Sequence, residues 1–159
     1  MKSFLMLTLL FLSSCVTPLP LEESKMKFNS LIPELGVSNL KRSLHFYVET
    51  IGFKIEYKRD ESKFVFLSYE GNQLMLEEEN GSWQTGPLHY PFGRGINFQM
   101  EVTKIDPIVK SLTTANYPLM KAPFESWYRK DDQKLGQREF LVQDPDGYLL
   151  RFCEFLSDR

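Results

Sequence analysis

Val37-Ser38-Asn39-Leu40-Lys41-Arg42-Ser43-Leu44-His45-Phe46-Tyr47-Val48-Glu49-Thr50-Ile51-Gly52-Phe53 reads as a helix with both ends marked. Leu40, Leu44, Tyr47, Val48 and Ile51 fall on one helical face, Ser38 or Asn39 can cap the start, and Gly52 can stop it. The pattern recurs 65 residues on, where Val102-Thr103-Lys104-Ile105 precedes Val109 and Leu112 in the same phases. There Thr103 with Asp106 has the spacing of a capping box, Pro107 is tolerable in the first turn, and Asn116 can close the end.

Strand-like runs follow each helix. The first set is Phe53–Lys58, Phe64–Tyr69 and Gln73–Glu77; the second is Tyr117–Met120, Trp127–Lys130, Arg138–Gln143 and Tyr148–Phe155. Gln73-Leu74-Met75-Leu76 and Leu149-Leu150-Arg151-Phe152 pair at an offset of 76, so the second copy carries eleven extra residues, between Lys121 and Gln137. Asp144-Pro145-Asp146-Gly147 marks a tight turn before the last strand. Two βαβββ modules, residues 30–78 and 93–157, are each too small to bury a sheet face alone. The expectation is one α+β domain over 30–157, with two facing mixed four-stranded sheets around a cleft and a helix behind each.

The 159 residues hold one ordinary domain, and 42% hydrophobic with 25% charged residues is a globular composition. A net charge of -2 argues against a nucleic-acid partner, which would call for a basic excess. Two cysteines and two histidines build neither a disulfide framework nor a multi-imidazole metal site.

Residues 1–14 read as a signal peptide: Lys2 is the positive start, and Phe4 to Leu12 an apolar run too short to span a bilayer. Leu12-Ser13-Ser14-Cys15 looks like a lipobox, with Cys15 the lipidated residue and 15–29 a tether. This predicts a membrane-anchored lipoprotein facing the periplasm or cell exterior. Translation from Met26 would instead give a cytoplasmic protein.

The Val37–Phe53 stretch, the doubled βαβββ order and Asp144-Pro145-Asp146-Gly147-Tyr148 resemble the glyoxalase, bleomycin-resistance and extradiol-dioxygenase superfamily, also called vicinal oxygen chelate. Gly93-Arg94-Gly95-Ile96-Asn97-Phe98-Gln99 and Gly136 to Asp144 look most like its bleomycin-resistance branch. The resemblance covers Leu31 to Phe155 and implies metal-ligand positions on the opening and closing strands of each module. Those positions fall on Ile32, Met75, Asn97 and Arg151. Ile and Met do not usefully ligate a divalent ion, Arg repels it and Asn alone is weak, so no metal or other cofactor is expected.

Strand alternation points Leu35, Val37, Leu74, Leu76, Phe98, Met100, Leu150 and Phe152 at the helices. It points Glu34, Gln73, Met75, Glu77, Asn97, Gln99, Glu101 and Arg151 into the cleft. That face is either a polar pocket or a solvated sheet surface on which Arg151 pairs with Glu34 or Glu101. Trp83, Phe92 and Arg94 lie in the link between modules, and Trp127 and Tyr128 in the extra segment. The rings either line a site or staple loops and interfaces.

The resemblance implies a non-catalytic homodimer that confers antibiotic resistance by sequestering a bleomycin-type glycopeptide. Trp83, Phe92, Trp127 and Tyr128 would stack its flat part, and Glu34, Glu77 and Glu101 would meet its cationic tail. Arg94, Asn97, Gln99 and Arg151 complete the expected ligand-binding set, with no catalytic residue. The alternative is a lyase or transferase of the same superfamily.

Overall fold

The structure, a computed structural model, describes residues 26–158. Cys15, the expected signal peptide and most of the expected tether lie outside the described residues. In the first module β1 (Glu34–Val37) leads into α1 (Leu40–Leu44), which continues as a π-helical turn over His45–Ile51; β2 (Lys54–Arg59), β3 (Phe64–Tyr69) and β4 (Asn72–Glu78) follow. In the second, β5 (Asn97–Glu101) and α2 (Asp106–Thr114) precede β6 (Lys121–Lys130), β7 (Gln133–Gln143) and β8 (Leu149–Asp158). The sheets have the orders β1-β4-β3-β2 and β5-β8-β7-β6, with β1 parallel to β4 and β5 parallel to β8. This is the doubled βαβββ fold that the repeat predicts.

Local chemistry accounts for the first helix. The Asn39 side chain accepts from the Arg42 backbone N–H at 2.8 Å, and Gly52 ends the helix at φ +104°, a left-handed conformation that glycine adopts without steric cost. The second helix is capped otherwise than expected. No Thr103–Asp106 box forms; Glu154, from β8, accepts from the Ile105 N–H at 2.8 Å and Glu70 from that of Thr103 at 2.5 Å. Asp106 instead accepts from Arg138 at 2.7 Å. Asn116 closes the end at φ +53°.

Two strand boundaries also differ. Tyr117–Met120 is not a strand, and the expected Trp127–Lys130 strand is the second half of a longer one starting at Lys121. The extra residues of the second module therefore lengthen the β6–β7 hairpin.

One core joins both modules. Leu35, Val37, Leu74, Leu76, Met100, Leu150 and Phe152 are buried in it with Phe46, Tyr47, Ile105 and Leu112 from the helices, and Phe98 packs against it. The Val37–Phe53 motif of the first module meets the Asp144–Tyr148 motif of the second here. Asp144 and Asp146 are each 2% exposed, and Asp146 takes hydrogen bonds from the Ser38 hydroxyl at 2.6 Å and from Arg42 at 2.7 Å. Burying two carboxylates is costly unless they are bonded, and the first module supplies the donors.

Candidate functional site

The parallel pairing of β1 with β4 sets Glu34 beside Met75 and Gly36 beside Glu77, so both carboxylates lie on the face away from the helices. Desolvation and then the neighbouring Glu77 carboxylate raise the Glu34 carboxyl above its ordinary range, while Arg59 pulls the other way. Glu77 is held by the Asn80 side-chain amide. The connection after β4 folds over this pair and closes a pocket of about 170 Å³ lined by Glu34, Glu77, Trp83, Gln84, Leu88 and Tyr148. Trp83 is 78% exposed at its mouth. The Tyr148 hydroxyl donates to the Gly36 carbonyl at 3.1 Å, and desolvation followed by the Asp144 charge pushes its pKa up to about 12. An aromatic ring beside paired carboxylates suits a desolvated organic cation.

The same face of the first sheet also carries an aromatic patch. Phe64 and Phe66 are each 1% exposed yet lie outside the shared core, and Tyr57 stacks on Phe66 with ring centres 5.1 Å apart. The Arg59 guanidinium sits 3.8 Å over the Phe64 ring. Phe28 meets Phe66 edge-on at 5.4 Å, and Asn29 is tied to the Gln73 side chain and the Gly71 carbonyl, each at 2.8 Å. The last residues of the expected tether are thus fixed across this face.

The corresponding face of the second sheet carries a polar network. Glu139, 1% exposed, accepts from the Tyr128 hydroxyl at 2.6 Å, and its other oxygen lies 3.6 Å from Arg151 Nε. Arg151 Nη2 donates to Gln99 Oε1. Arg151 therefore pairs with Glu139, not with Glu34 or Glu101.

The structure divides the expected ligand-binding residues among several places. Glu34, Glu77 and Trp83 meet in the acidic pocket; Gln99, Tyr128 and Arg151 meet on the second sheet. Asn97 lines a groove of about 260 Å³ with Leu31, Pro33 and Gln73, between the first sheet and β5. Arg94 is exposed and donates to the Tyr90 carbonyl at 2.9 Å. Phe92 is 8% exposed in the core, edge-on to Tyr148. Trp127 lies over Gly136 on the opposite face of β6 from Tyr128, where an alanine Cβ at 136 would come within 2.6 Å of its ring. Phe92 and Trp127 are therefore not gathered with Trp83 or Tyr128.

Glu139 and Tyr148 are the site residues that sequence reasoning missed. Alternation from the buried Phe140 and Val142 puts Glu139 on the same face as Arg151, a signal present in the sequence. Tyr148 depends on a contact between modules.

At the four positions where the resemblance implies metal ligands, the residues do not suit a divalent ion. Ile32 and Met75 offer no hard donor, Asn97 alone is a weak ligand, and Arg151 brings a fixed positive charge. Among the described residues no three His, Cys, Asp or Glu side chains gather as a metal site.

Comparison with known proteins agrees with this architecture. Residues 28–152 match the Glyoxalase/Bleomycin resistance protein/Dioxygenase superfamily. A glyoxalase/bleomycin resistance protein/dioxygenase superfamily member from Vibrio splendidus 12B01 is 33% identical, over 77% of this chain and 95% of that one, with a TM-score of 0.37. TioX from Micromonospora sp. ML1 is 17% identical over 81% of this chain and all of its own (100%), with a TM-score of 0.63. A glyoxalase/bleomycin resistance protein/dioxygenase from Alicyclobacillus acidocaldarius is 18% identical over 81% and 92%, with a TM-score of 0.57. The last two likenesses are likenesses of fold. No protein with a curated description matches the chain. By the match over 28–152, carried on two βαβββ modules, this chain belongs to the glyoxalase/bleomycin resistance/dioxygenase superfamily.

Proposed function

We propose that this protein binds and sequesters a small, flat, positively charged molecule without turning it over, and that a bleomycin-type glycopeptide is such a ligand. The observation that carries the reading is the placement of Glu34 and Glu77 under the Trp83 loop, in a pocket of about 170 Å³. A cationic tail entering there would replace water around two carboxylates with charge-assisted hydrogen bonds. The indole at the mouth would offer flat area to a heteroaromatic part at small entropic cost. The Arg151–Glu139 pairing supports binding over metal-assisted chemistry. In this reading the protein is a homodimer, and lipidation at Cys15 holds it outside the cytoplasm.

The test is a titration of the purified protein with metal-free and copper-loaded bleomycin, following heat and tryptophan emission. Saturation at one drug per subunit, with a dissociation constant below about 10 μM, corresponding to roughly -7 kcal/mol, supports the reading. No response to either form overturns the assignment to bleomycin. Release of a chemically altered drug would favour a lyase or transferase.

A further inference from the structure

The Arg151 network leaves donors unused. Its guanidinium has five N–H groups, of which Nε–H faces Glu139 and one on Nη2 goes to Gln99 Oε1. Nη1 has no partner among the described residues, and the side chain is 27% exposed. Behind it, Glu139 Oε2 and Arg151 Nε are buried without hydrogen-bond partners, 3.6 Å apart. The Glu139 contact is therefore too long to consume the guanidinium. It supplies a buried negative charge that orients the cation and keeps its free edge turned outward.

Apolar side chains flank that edge, with the Lys121 ammonium 3.3 Å over the ring of one of them, Phe124. On the same face Leu141 stands directly opposite Arg151, and Phe124 directly opposite Glu139. Both are half-buried, and Tyr128 beside them is 42% exposed with its hydroxyl tied to Glu139. A planar fork of donors next to a flat apolar floor matches a carboxylate attached to a ring.

We propose that this face of the second sheet is a separate subsite that takes the carboxylate of an aromatic organic acid, with Arg151 as the anchor and Phe124, Leu141 and Tyr128 as the floor. It is independent of the acidic pocket and of whatever that pocket binds.

The test uses benzoate as the probe and benzamide as its uncharged isostere, added to the ¹⁵N-labelled protein. The Arg151 Nε–H resonance, assigned by its loss in Arg151→Gln, reports the site. Benzoate is expected to shift it saturably, benzamide to leave it in place, and Arg151→Gln to weaken calorimetric benzoate binding by about tenfold or more. Because that variant leaves Glu139 with no cation, the double variant Glu139→Gln, Arg151→Gln is measured beside it, and the same loss is expected. Glu77→Gln is expected to bind benzoate as the parent does, which separates this subsite from the acidic pocket. Equal shifts with benzamide, no saturable shift, or undiminished benzoate binding in the double variant would overturn the proposal.

Discussion

The Tyr47 hydroxyl donates to Asp144 Oδ2 at 2.9 Å across 97 residues of sequence, joining the helix of the first module to the last turn of the second. Tyr47 is fully buried and Asp144 2% exposed, so the bond is made where water cannot replace it. The other Asp144 oxygen accepts from the backbone N–H groups of Asp146 at 3.0 Å and Tyr148 at 2.8 Å. The two motifs that mark the family are, in this chain, each other's partners.

Tyr47→Phe removes that donor and leaves a buried oxygen short of one bond. The expected loss is about 1–3 kcal/mol of stability, measured by urea unfolding with an unchanged denaturant slope. A loss below about 0.5 kcal/mol would contradict the assigned role.

Asp144 also sets a pH dependence. Desolvation raises its pKa from 3.8 to about 6, against the three hydrogen bonds that lower it. A carboxyl whose pKa is higher in the folded state binds its proton more tightly there, so its contribution is full below about pH 4 and is lost as pH rises through about 6. The span is up to about 3 kcal/mol. Asp144→Asn keeps the acceptor for the two backbone donors and removes the titration. Its stability relative to the parent is expected to improve between pH 4 and pH 6.5, by unfolding measured across that range.

Gly136→Ala tests where Trp127 lies. The added Cβ would come within 2.6 Å of two ring carbons, so the indole must move. The expected cost is about 1–3 kcal/mol, and in a Trp83→Phe background the remaining tryptophan emission should shift. An unchanged spectrum would mean that the ring does not rest on this glycine.

The two tryptophans should also respond differently to ligand. In Trp127→Phe the remaining indole, Trp83, is expected to be quenched or shifted by bleomycin. In Trp83→Phe the response should be small, because Trp127 lies over Gly136 on the second sheet and does not line the acidic pocket. The reverse pattern would move the site to the helix side of the second sheet.

Much of this was legible in the sequence because burial alternates along the central strands, over Gln73–Leu76 of β4 and Leu149–Phe152 of β8. Leu74 and Leu76, and Leu150 and Phe152, announce which side meets the helices, and Glu34 and Glu77 follow on the other side. What escaped depends on partners distant in sequence. The start of α2 is capped by Glu70 and Glu154 rather than by its own Thr103, and Arg151 turns to Glu139 on the next strand. Trp127 and Tyr128 are neighbours in the extra segment, and in a strand neighbours face opposite sides of the sheet. The face of Trp127 is fixed by the register with Gly136. The aromatic patch of Phe64 and Phe66 was hidden because β3 is apolar on both faces, which gives no alternation to read.

The acidic pair makes the most direct test. Glu34→Gln, Glu77→Gln keeps size and hydrogen-bonding capacity while removing both charges, and calorimetric titration with metal-free bleomycin compares it with the parent. The account predicts a loss of about tenfold to a hundredfold in affinity. It also predicts that the parent's affinity falls with pH earlier than an ordinary carboxylate would dictate, because the raised Glu34 carboxyl takes up its proton first. Equal affinity of the two proteins would contradict the claim that these carboxylates hold the ligand.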